Sequence, residues 1–169
     1  DWVNLSQNEA LPWSEEFIAQ HKDRWPKSSH DGTWRHLNKN EGLPWNEGLI
    51  ERFEDRWDWR GLSRNEAIPW SEELIARYEE RWARAGFSEE WGSLSGNEAL
   101  SWSEEFIACY EDRWDWEKLS ENEALPWSEE LIAHYEDRWE WEGRGSLSDN
   151  EALPWSEELV VRYEDHWDW

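Results

Sequence analysis

Residues 116–139 read WEKLSENEALPWSEELIAHYEDRW, and variants of this stretch recur along the whole 169-residue chain. In the second half, large apolar side chains occupy every fourth position from Trp127 to Trp139. This spacing predicts a helix over Pro126–Trp139 with one apolar stripe, and the lack of period-two alternation argues against a strand. Ser128 is placed to cap the helix, with acidic residues following it in the first turn.

The first half of the stretch predicts a shorter helix over Asp115–Asn122. Asp115 is a suitable N-cap, and Trp116 and Leu119 are three residues apart. Asn122 is expected to end this segment in a left-handed conformation. The segment has room for one or two turns of α- or 3-10 helix.

Six copies of this unit are found when the chain is aligned on one leucine per copy. We number the repeats 1 to 6 by these leucines: Leu5, Leu37, Leu62, Leu94, Leu119 and Leu147. All nineteen tryptophans fall into three classes. The first class opens each repeat and also ends the chain: Trp2, Trp34, Trp59, Trp91, Trp116, Trp141 and Trp169. The second class is Trp13, Trp45, Trp70, Trp102, Trp127 and Trp155, and the third is Trp25, Trp57, Trp82, Trp114, Trp139 and Trp167.

The spacing between the tryptophan classes sets the repeat length at about 25 residues. Insertions occupy residues 26–33 and 83–90, and a shorter one lies near Gly143–Gly145. A repeat this short has room for one longer α-helix and one short α- or 3-10 helix, and it cannot bury its own apolar stripe. We therefore expect an all-α fold, a short solenoid of six repeats that forms a single domain over residues 1–169. The insertions are expected to be surface loops.

The composition combines a signature of disorder with one of burial. Only 37% of residues are apolar, 34% are charged, and the net charge is −24, a balance typical of disordered chains. The tryptophans contradict disorder, because each can bury on the order of 200 Å². We expect an aromatic core beneath an acidic surface, with the first-class rings partly exposed because the insertions border them.

The repeat also resembles Trp-rich tandem repeats of uncharacterised bacterial and large-virus proteins. The resemblance is carried by Leu119-Ser120, Asn122, Leu125–Ser128 and Tyr135–Trp139, and it covers nearly the whole chain. It departs from the pattern at Ser101, Asn38, Asn46, Gly48 and His166. The resemblance implies the repeat architecture and no activity.

No catalytic or cofactor motif occurs in the sequence. The chain lacks H-E-x-x-H, C-x-x-C, G-x-G-x-x-G and Walker patterns, and its five histidines occupy non-equivalent positions. A single cysteine, Cys109, allows no intrachain disulfide and no thiolate metal site. We expect no enzyme, no cofactor and no metal site, and the lack of disulfides slightly favours the cytoplasm.

An asparagine recurs in every repeat, and two interpretations of this row stay open. Its members are Asn8, Asn40, Asn65, Asn97, Asn122 and Asn150. They could form helix caps or a hydrogen-bond ladder along the stack, or they could present amides to a ligand.

The acidic balance suggests a binding function. A net charge of −24 argues against nucleic-acid binding, which needs Lys and Arg, and favours a basic protein or peptide as partner. Glu98, Glu104 and Glu111 are the candidate binding residues, on the acidic face that a solenoid offers. We therefore predict a non-catalytic interaction scaffold without membrane contact. The alternative is a module that stacks carbohydrate or cationic small molecules on exposed Trp rings.

Trp2 and Trp169 give a separate expectation. Both belong to the first class, and the final Asp-Trp matches the point at which another repeat would begin. Natural solenoids carry polar caps at their ends. We expect a longer repeat array, or self-association through these two tryptophans.

Overall fold

The computed structural model of the chain describes residues 1–34, 36–83 and 89–169. Over these residues the protein is all-α, as predicted, with helices, no β-strand and two isolated bridges that join Trp34 to Lys27 and to Trp57. The chain forms two compact units, Asp1–Arg84 and Ala85–Trp169, with three sequence repeats in each.

Each repeat contributes two short helical segments, which we call the opening helix and the capped helix. The opening helices are Trp2–Ser6, Leu37–Lys39, Trp59–Leu62, Glu89–Ser95, Trp116–Glu121 and Leu147–Asp149, and the second and sixth are 3-10 helices. The capped helices are Glu15–Gln20, Glu47–Arg52, Glu72–Arg77, Glu104–Cys109, Glu129–His134 and Glu157–Arg162. A further helix, Glu79–Ala83, follows the third capped helix.

The capped helices begin where the sequence predicts. In repeat 5 the Ser128 hydroxyl accepts a hydrogen bond from the Leu131 backbone N–H at 3.0 Å. Serine has this role in five repeats and Asn46 in the other. Asp115 likewise caps the opening helix of repeat 5 through the Lys118 N–H, at 3.2 Å. These local caps fix the direction in which each helix starts.

The capped helices are shorter than the sequence suggests, so the predicted helix over Pro126–Trp139 is wrong. The observed helix has six residues, Glu129–His134, the same number as the opening helix Trp116–Glu121. Trp127 lies before the cap, and the chain turns at Tyr135. Trp139 folds back, so that its indole N–H donates to the Ile132 carbonyl at 3.1 Å. The four-residue spacing of these apolar side chains therefore indicates that they are buried on one side of a short helix and of the turns on either side of it.

Asn122 does not adopt the predicted left-handed conformation. Its φ is −76° and its ψ is 112°, an extended backbone. It ends the opening helix through its side chain instead, because Oδ1 accepts a hydrogen bond from the Ala124 N–H at 2.9 Å. This side-chain turn satisfies a backbone donor without a positive φ.

The aromatic core is confirmed, and the third tryptophan class forms its centre. All six members of that class are buried: Trp25, Trp57, Trp82, Trp114, Trp139 and Trp167. In repeat 5 the ring centroid of Trp139 lies 4.8 Å from that of Trp116 and 5.0 Å from that of Trp127. The three classes of one repeat therefore pack as a cluster of edge-to-face and tilted rings, a favourable geometry for indoles.

First-class rings are partly exposed in Trp2, Trp59, Trp116 and Trp169, but the insertions are not the cause. Trp34 and Trp91, which follow the two longer insertions, are 0% and 5% exposed, and Trp141 is 8% exposed. Residues 26–33 are exposed or half-buried, as expected of a surface loop, but they leave the Trp34 ring covered. Residues 84–88 of the second insertion lie outside the described part of the chain.

In the described ranges, none of the helices has the length and apolar character needed to cross a bilayer.

Candidate functional site

Five of the six recurrent asparagines are buried, and four of them join consecutive repeats through side-chain bonds to a carbonyl of the preceding repeat. Asn122 Nδ2 donates to the Ser95 carbonyl of the preceding repeat at 2.8 Å, and Asn122 is 2% exposed. Equivalent bonds join Asn40 to Ser6, Asn65 to Asn38, and Asn150 to Ser120. The ladder interpretation is therefore confirmed for these four asparagines, whose amides are not presented to a ligand.

The tryptophan N–H groups are also used inside the fold. Every second-class indole donates to the carbonyl of its own repeat's asparagine, as Trp127 does to Asn122 at 3.0 Å. Every third-class indole donates to a carbonyl seven residues earlier. Among the described residues the most exposed rings are those of Trp155, at 43%, and Trp169, at 85%.

A charged groove lies between the capped helices of repeats 2 and 3 in the first unit. Its walls include Glu54, Arg77, Tyr78 and Arg81, and its volume is about 500 Å³. Arg81 Nη2 lies 2.7 Å from Glu54 Oε1 and 2.8 Å from Asp55 Oδ1. Hydrogen bonds to the carboxylates of Asp55 and Glu54 raise the pKa of Arg81. The arginine therefore ties the third repeat to the second.

Tyr78 lies on the floor of this groove and is 6% exposed. Burial of the phenol, followed by the nearby charges of Glu54 and Glu51, raises the pKa of Tyr78. A hydrogen bond with Arg77 acts in the opposite direction. Arg77 Nη1 also lies 3.1 Å from Glu47 Oε2 on the preceding capped helix. Arg77 thus ties the third capped helix to the second.

The second unit has a matching groove between the capped helices of repeats 4 and 5. It is lined by Glu111, His134, Tyr135, Glu136, Asp137 and Arg138, and its volume is about 410 Å³. Arg138 Nη2 lies 3.0 Å from Glu111 Oε1 and 3.1 Å from Asp112 Oδ1, as in the first unit. Tyr135, 6% exposed, has a pKa raised by burial and then by Glu111 and Glu104. We call this cavity the unit-2 groove.

The predicted binding residues are distributed unevenly around this groove. Glu111 lines it, whereas Glu104, on the capped helix Glu104–Cys109, is not among the residues that line it. Glu98 is exposed next to the buried Asn97, and no described contact brings it to the groove. Sequence reasoning missed Tyr135, although a tyrosine at this place in four repeats was the available signal.

The two predicted end-association residues differ in exposure. Trp2 is half-buried, with its ring centroid 5.0 Å from that of Trp25 and the Arg24 guanidinium carbon 5.5 Å from its ring. Trp169 is 85% exposed, and its N–H donates to the Glu164 carbonyl at 3.1 Å.

In the described residues no three His, Cys, Asp or Glu side chains form a cluster that could hold a metal ion. Cys109 is exposed. No protein-family model, curated protein or solved structure matches the chain. The resemblance to Trp-rich tandem repeats therefore stays a prediction.

Proposed function

We propose that the protein is a non-catalytic acidic scaffold that binds basic proteins or peptides through the grooves between consecutive capped helices. The observation that carries the proposal is the unit-2 groove, where the carboxylates of Glu111, Glu136 and Asp137 lie beside the buried Tyr135. The net charge of −24 supports it, because an acidic surface attracts basic partners and raises their association rate.

We propose further that the repeats stack as a short solenoid. Support comes from bonds that recur between neighbouring repeats within each unit. Besides the asparagine ladder, the Ser95 hydroxyl accepts from the Asp115 N–H at 3.0 Å, and the Ser120 hydroxyl accepts from the Glu140 N–H at 3.0 Å. Small-angle scattering tests the stack: an elongated particle is expected, and a radius of gyration near 15 Å, that of a compact chain of this length, would contradict it.

The binding proposal is tested with labelled peptides of equal length, one rich in arginine and lysine and one rich in glutamate. Fluorescence anisotropy at low and physiological salt is expected to show binding of the basic peptide alone, weakening steeply as salt screens exposed charges within about 8 Å. Binding of the basic peptide should be weaker in a triple variant that carries Glu98→Gln, Glu104→Gln and Glu111→Gln. Equal binding of both peptides, or binding that salt does not affect, would show that the electrostatic mechanism is wrong.

Exposure of Trp155 and Trp169 favours a second candidate, the stacking of carbohydrate or cationic small molecules on these rings. Ligands of this class should quench Trp emission with little dependence on salt. Trp155→Ala is the matched variant, because it removes an exposed ring. If a glycan panel gives quenching that Trp155→Ala abolishes, while the basic peptide does not bind, this second function replaces the first.

The proposal includes self-association through Trp2 and Trp169, since the exposed Trp169 ring offers apolar surface to a second copy. Sedimentation velocity should show a size that rises with concentration, and Trp169→Ser should reduce the rise. A monomer at every concentration would contradict this part of the proposal alone.

A further inference from the structure

The first repeat exposes residues that the other repeats bury. Three of its apolar side chains are half-buried and its asparagine is exposed, whereas the residues at the same four positions of the other five repeats are at most 5% exposed. The opposite side of repeat 1 is covered, since Ser6 and Ile18 are both 0% exposed. We call the uncovered residues the leading face: Leu5, Asn8, Leu11 and Phe17.

Repeat 6 shows the opposite pattern. Its counterparts of the leading face are buried, with Leu147 and Leu159 both 0% exposed. The uncovered residues form a second surface, which we call the trailing face: Ser148, Trp155 and Val160. Ser148 and Val160 are half-buried, whereas the residues at their positions in the other five repeats are at most 2% exposed. Trp155, at 43%, is the most exposed ring of its class.

Within a unit these two faces pack against each other. In the first unit Ile50 of repeat 2, the counterpart of Val160, lines one apolar space together with Leu62, Ile68 and Leu74 of repeat 3. Those three residues correspond to the apolar side chains of the leading face. The uncovered surfaces of repeats 1 and 6 are therefore the two halves of a contact that the chain already makes between its own repeats.

The asparagine ladder crosses the same contact and has a bonding group left over on each face. In repeat 5, Asn122 Nδ2 donates to the Ser95 carbonyl at 2.8 Å. Asn8 is the counterpart of Asn122, and its Nδ2 donates to no described residue. Ser148 is the counterpart of Ser95, and its carbonyl accepts from no residue that the structure describes. The leading face thus has a spare donor, and the trailing face has the matching acceptor.

We infer that the trailing face binds the leading face of a second copy of this chain, in the register that consecutive repeats use within a unit. Asn8 Nδ2 of the second copy donates to the Ser148 carbonyl of the first, and Val160 packs against the apolar side chains of the leading face. The contact is heterologous, because it joins two different faces. This inference rests on the proposed self-association and names the surfaces that carry it.

The last two residues of the chain hold the opening position of the repeat that a second copy would supply. The Asp168 N–H donates to Ser148 Oγ at 2.9 Å, and the Trp169 N–H donates to the Glu164 carbonyl at 3.1 Å. The same two bonds open repeat 5, at 3.0 and 3.1 Å. Trp169 of one copy therefore takes the place of Trp2 of the next. One ring replaces another, so the net burial of apolar surface comes from the two faces.

Sedimentation velocity of the full chain over a range of concentrations, at low and high salt, tests the contact. The average size should rise with concentration, and the rise should be larger at high salt, because each copy carries a net charge of −24 and salt screens the repulsion. Binding of a basic peptide has the opposite salt dependence. A monomer at every concentration, or a rise that salt abolishes, would overturn the inference.

Substitutions on each face make the test specific. Leu11→Glu and Val160→Glu should each weaken self-association about tenfold or more, because an unpaired carboxylate would be buried in an apolar contact. Val161→Glu is the matched control, since Val161 is 59% exposed on the same helix and its counterparts are exposed or half-buried. Equal effects of Val160→Glu and Val161→Glu would overturn the inference.

A milder variant keeps the test valid if a buried charge disturbs folding, which circular dichroism detects. Asn8→Asp retains the Oδ1 acceptor of the turn to Ala10 and removes only the spare donor. It should weaken self-association about fivefold or more, the loss expected for one hydrogen bond. Unchanged association in Asn8→Asp would show that the ladder does not continue between copies.

A mixture of the two charged variants decides whether unlike faces meet. Neither Leu11→Glu nor Val160→Glu should self-associate alone, because each retains a single intact face. Mixed together, they should form a complex of two copies, through the trailing face of Leu11→Glu and the leading face of Val160→Glu. The absence of a complex in the mixture, or undiminished association of either variant alone, would contradict the pairing of these faces.

The failure of this inference can be distinguished from failure of the proposed function. If Trp169→Ser reduces the rise in size while Leu11→Glu and Val160→Glu do not, self-association through the terminal rings stands and the two faces are rejected. If the face variants reduce it and Trp169→Ser does not, the faces stand and the terminal rings are rejected. Reduction by all three variants, with binding of the basic peptide unchanged, is the result that we expect.

Discussion

Replacement of Asn122 by alanine is expected to destabilise the second unit by about 2–5 kcal/mol. Asn122 is 2% exposed and joins two repeats through the 2.8 Å bond from Nδ2 to the Ser95 carbonyl. Its Oδ1 accepts from the Ala124 N–H at 2.9 Å. The substitution leaves the buried Ser95 carbonyl without a partner, at about 1–3 kcal/mol, and the part-buried Ala124 N–H without one, at about 1–2 kcal/mol.

Asn8 provides the matched control within the same chain. It is exposed and makes the same turn bond, with Ala10 N–H to Oδ1 at 3.0 Å. No described residue receives a bond from its Nδ2. Asn8→Ala should therefore cost only about 0.5–1.5 kcal/mol, the usual net value of one hydrogen bond.

Urea unfolding followed by Trp fluorescence and circular dichroism measures both variants, and hydrogen exchange assigns the loss to a unit. Asn122→Asp keeps the Oδ1 acceptor and replaces the donor by a charge that faces a carbonyl, so it should cost at least as much as alanine. If Asn122→Ala and Asn8→Ala lose equal stability, the bonds between repeats do not hold the unit together, and the ladder argument fails.

Four substitutions elsewhere test related contacts by thermal or chemical unfolding. Asn38→Ser should stabilise the fold by about 1–3 kcal/mol, since both amide atoms of Asn38 are buried without a described partner. A Cβ on Gly61 would overlap the Asn38 amide. Gly61→Ala should therefore lower the free energy of unfolding alone and be tolerated together with Asn38→Ser. Additive changes in the free energy of unfolding would contradict this. His166→Arg should raise the melting temperature, because His166 Nε2 lies 4.0 Å from Glu136 Oε1 where other repeats use arginine. An unchanged or lower melting temperature would contradict this reasoning. Burial, followed by the charges of neighbouring carboxylates, raises the pKa of Tyr135 in the folded protein. The phenol therefore ionises more readily in the unfolded chain, and the free energy of unfolding falls as pH rises above about 10. Tyr135→Phe should reduce that fall, and an unchanged alkaline profile would contradict the assignment.

The sequence predicted features that depend on one repeat alone. The tryptophan spacing indicated a shared aromatic core, and Ser128 and Asp115 were recognisable as caps because a cap acts within three residues of itself. The recurrence of asparagine at one place in each repeat left two interpretations open, and the structure shows the ladder bonds at four of the six. Each of these signals is visible in a 25-residue window.

Features that depend on the register between repeats were not predictable in this way. Glu111 and Arg138 are 27 residues apart in the chain, and their 3.0 Å ion pair follows only from how consecutive capped helices align. The length of the capped helices was also missed, because spacing alone does not distinguish a long helix from a short helix with packed turns. The deciding factor is the bond from Trp139 to the Ile132 carbonyl, which requires the chain to turn after His134.

The need for tryptophan, rather than any large apolar residue, follows from the shortness of these helices. A helix leaves its last four carbonyls without intrahelical donors, so a six-residue helix has more open carbonyls than closed ones. The indole N–H groups supply donors there: Trp127 bonds to the Asn122 carbonyl at 3.0 Å, and Trp139 bonds to that of Ile132 at 3.1 Å. Phenylalanine would fill similar volume but leave these acceptors open, at about 1–3 kcal/mol each where they are buried.

The indoles are used for structure, so differences between the grooves must come from the residues that line them. The last residue of each capped helix changes along the chain: Gln20, Arg52, Arg77, Cys109, His134 and Arg162. Where this residue is Arg77, its guanidinium pairs with Glu47 on the preceding capped helix. Where it is His134, the ring lies edge-on to Tyr135 at a centroid distance of 4.5 Å. A change at this single position thus alters the charge at a groove while the tryptophan clusters stay the same.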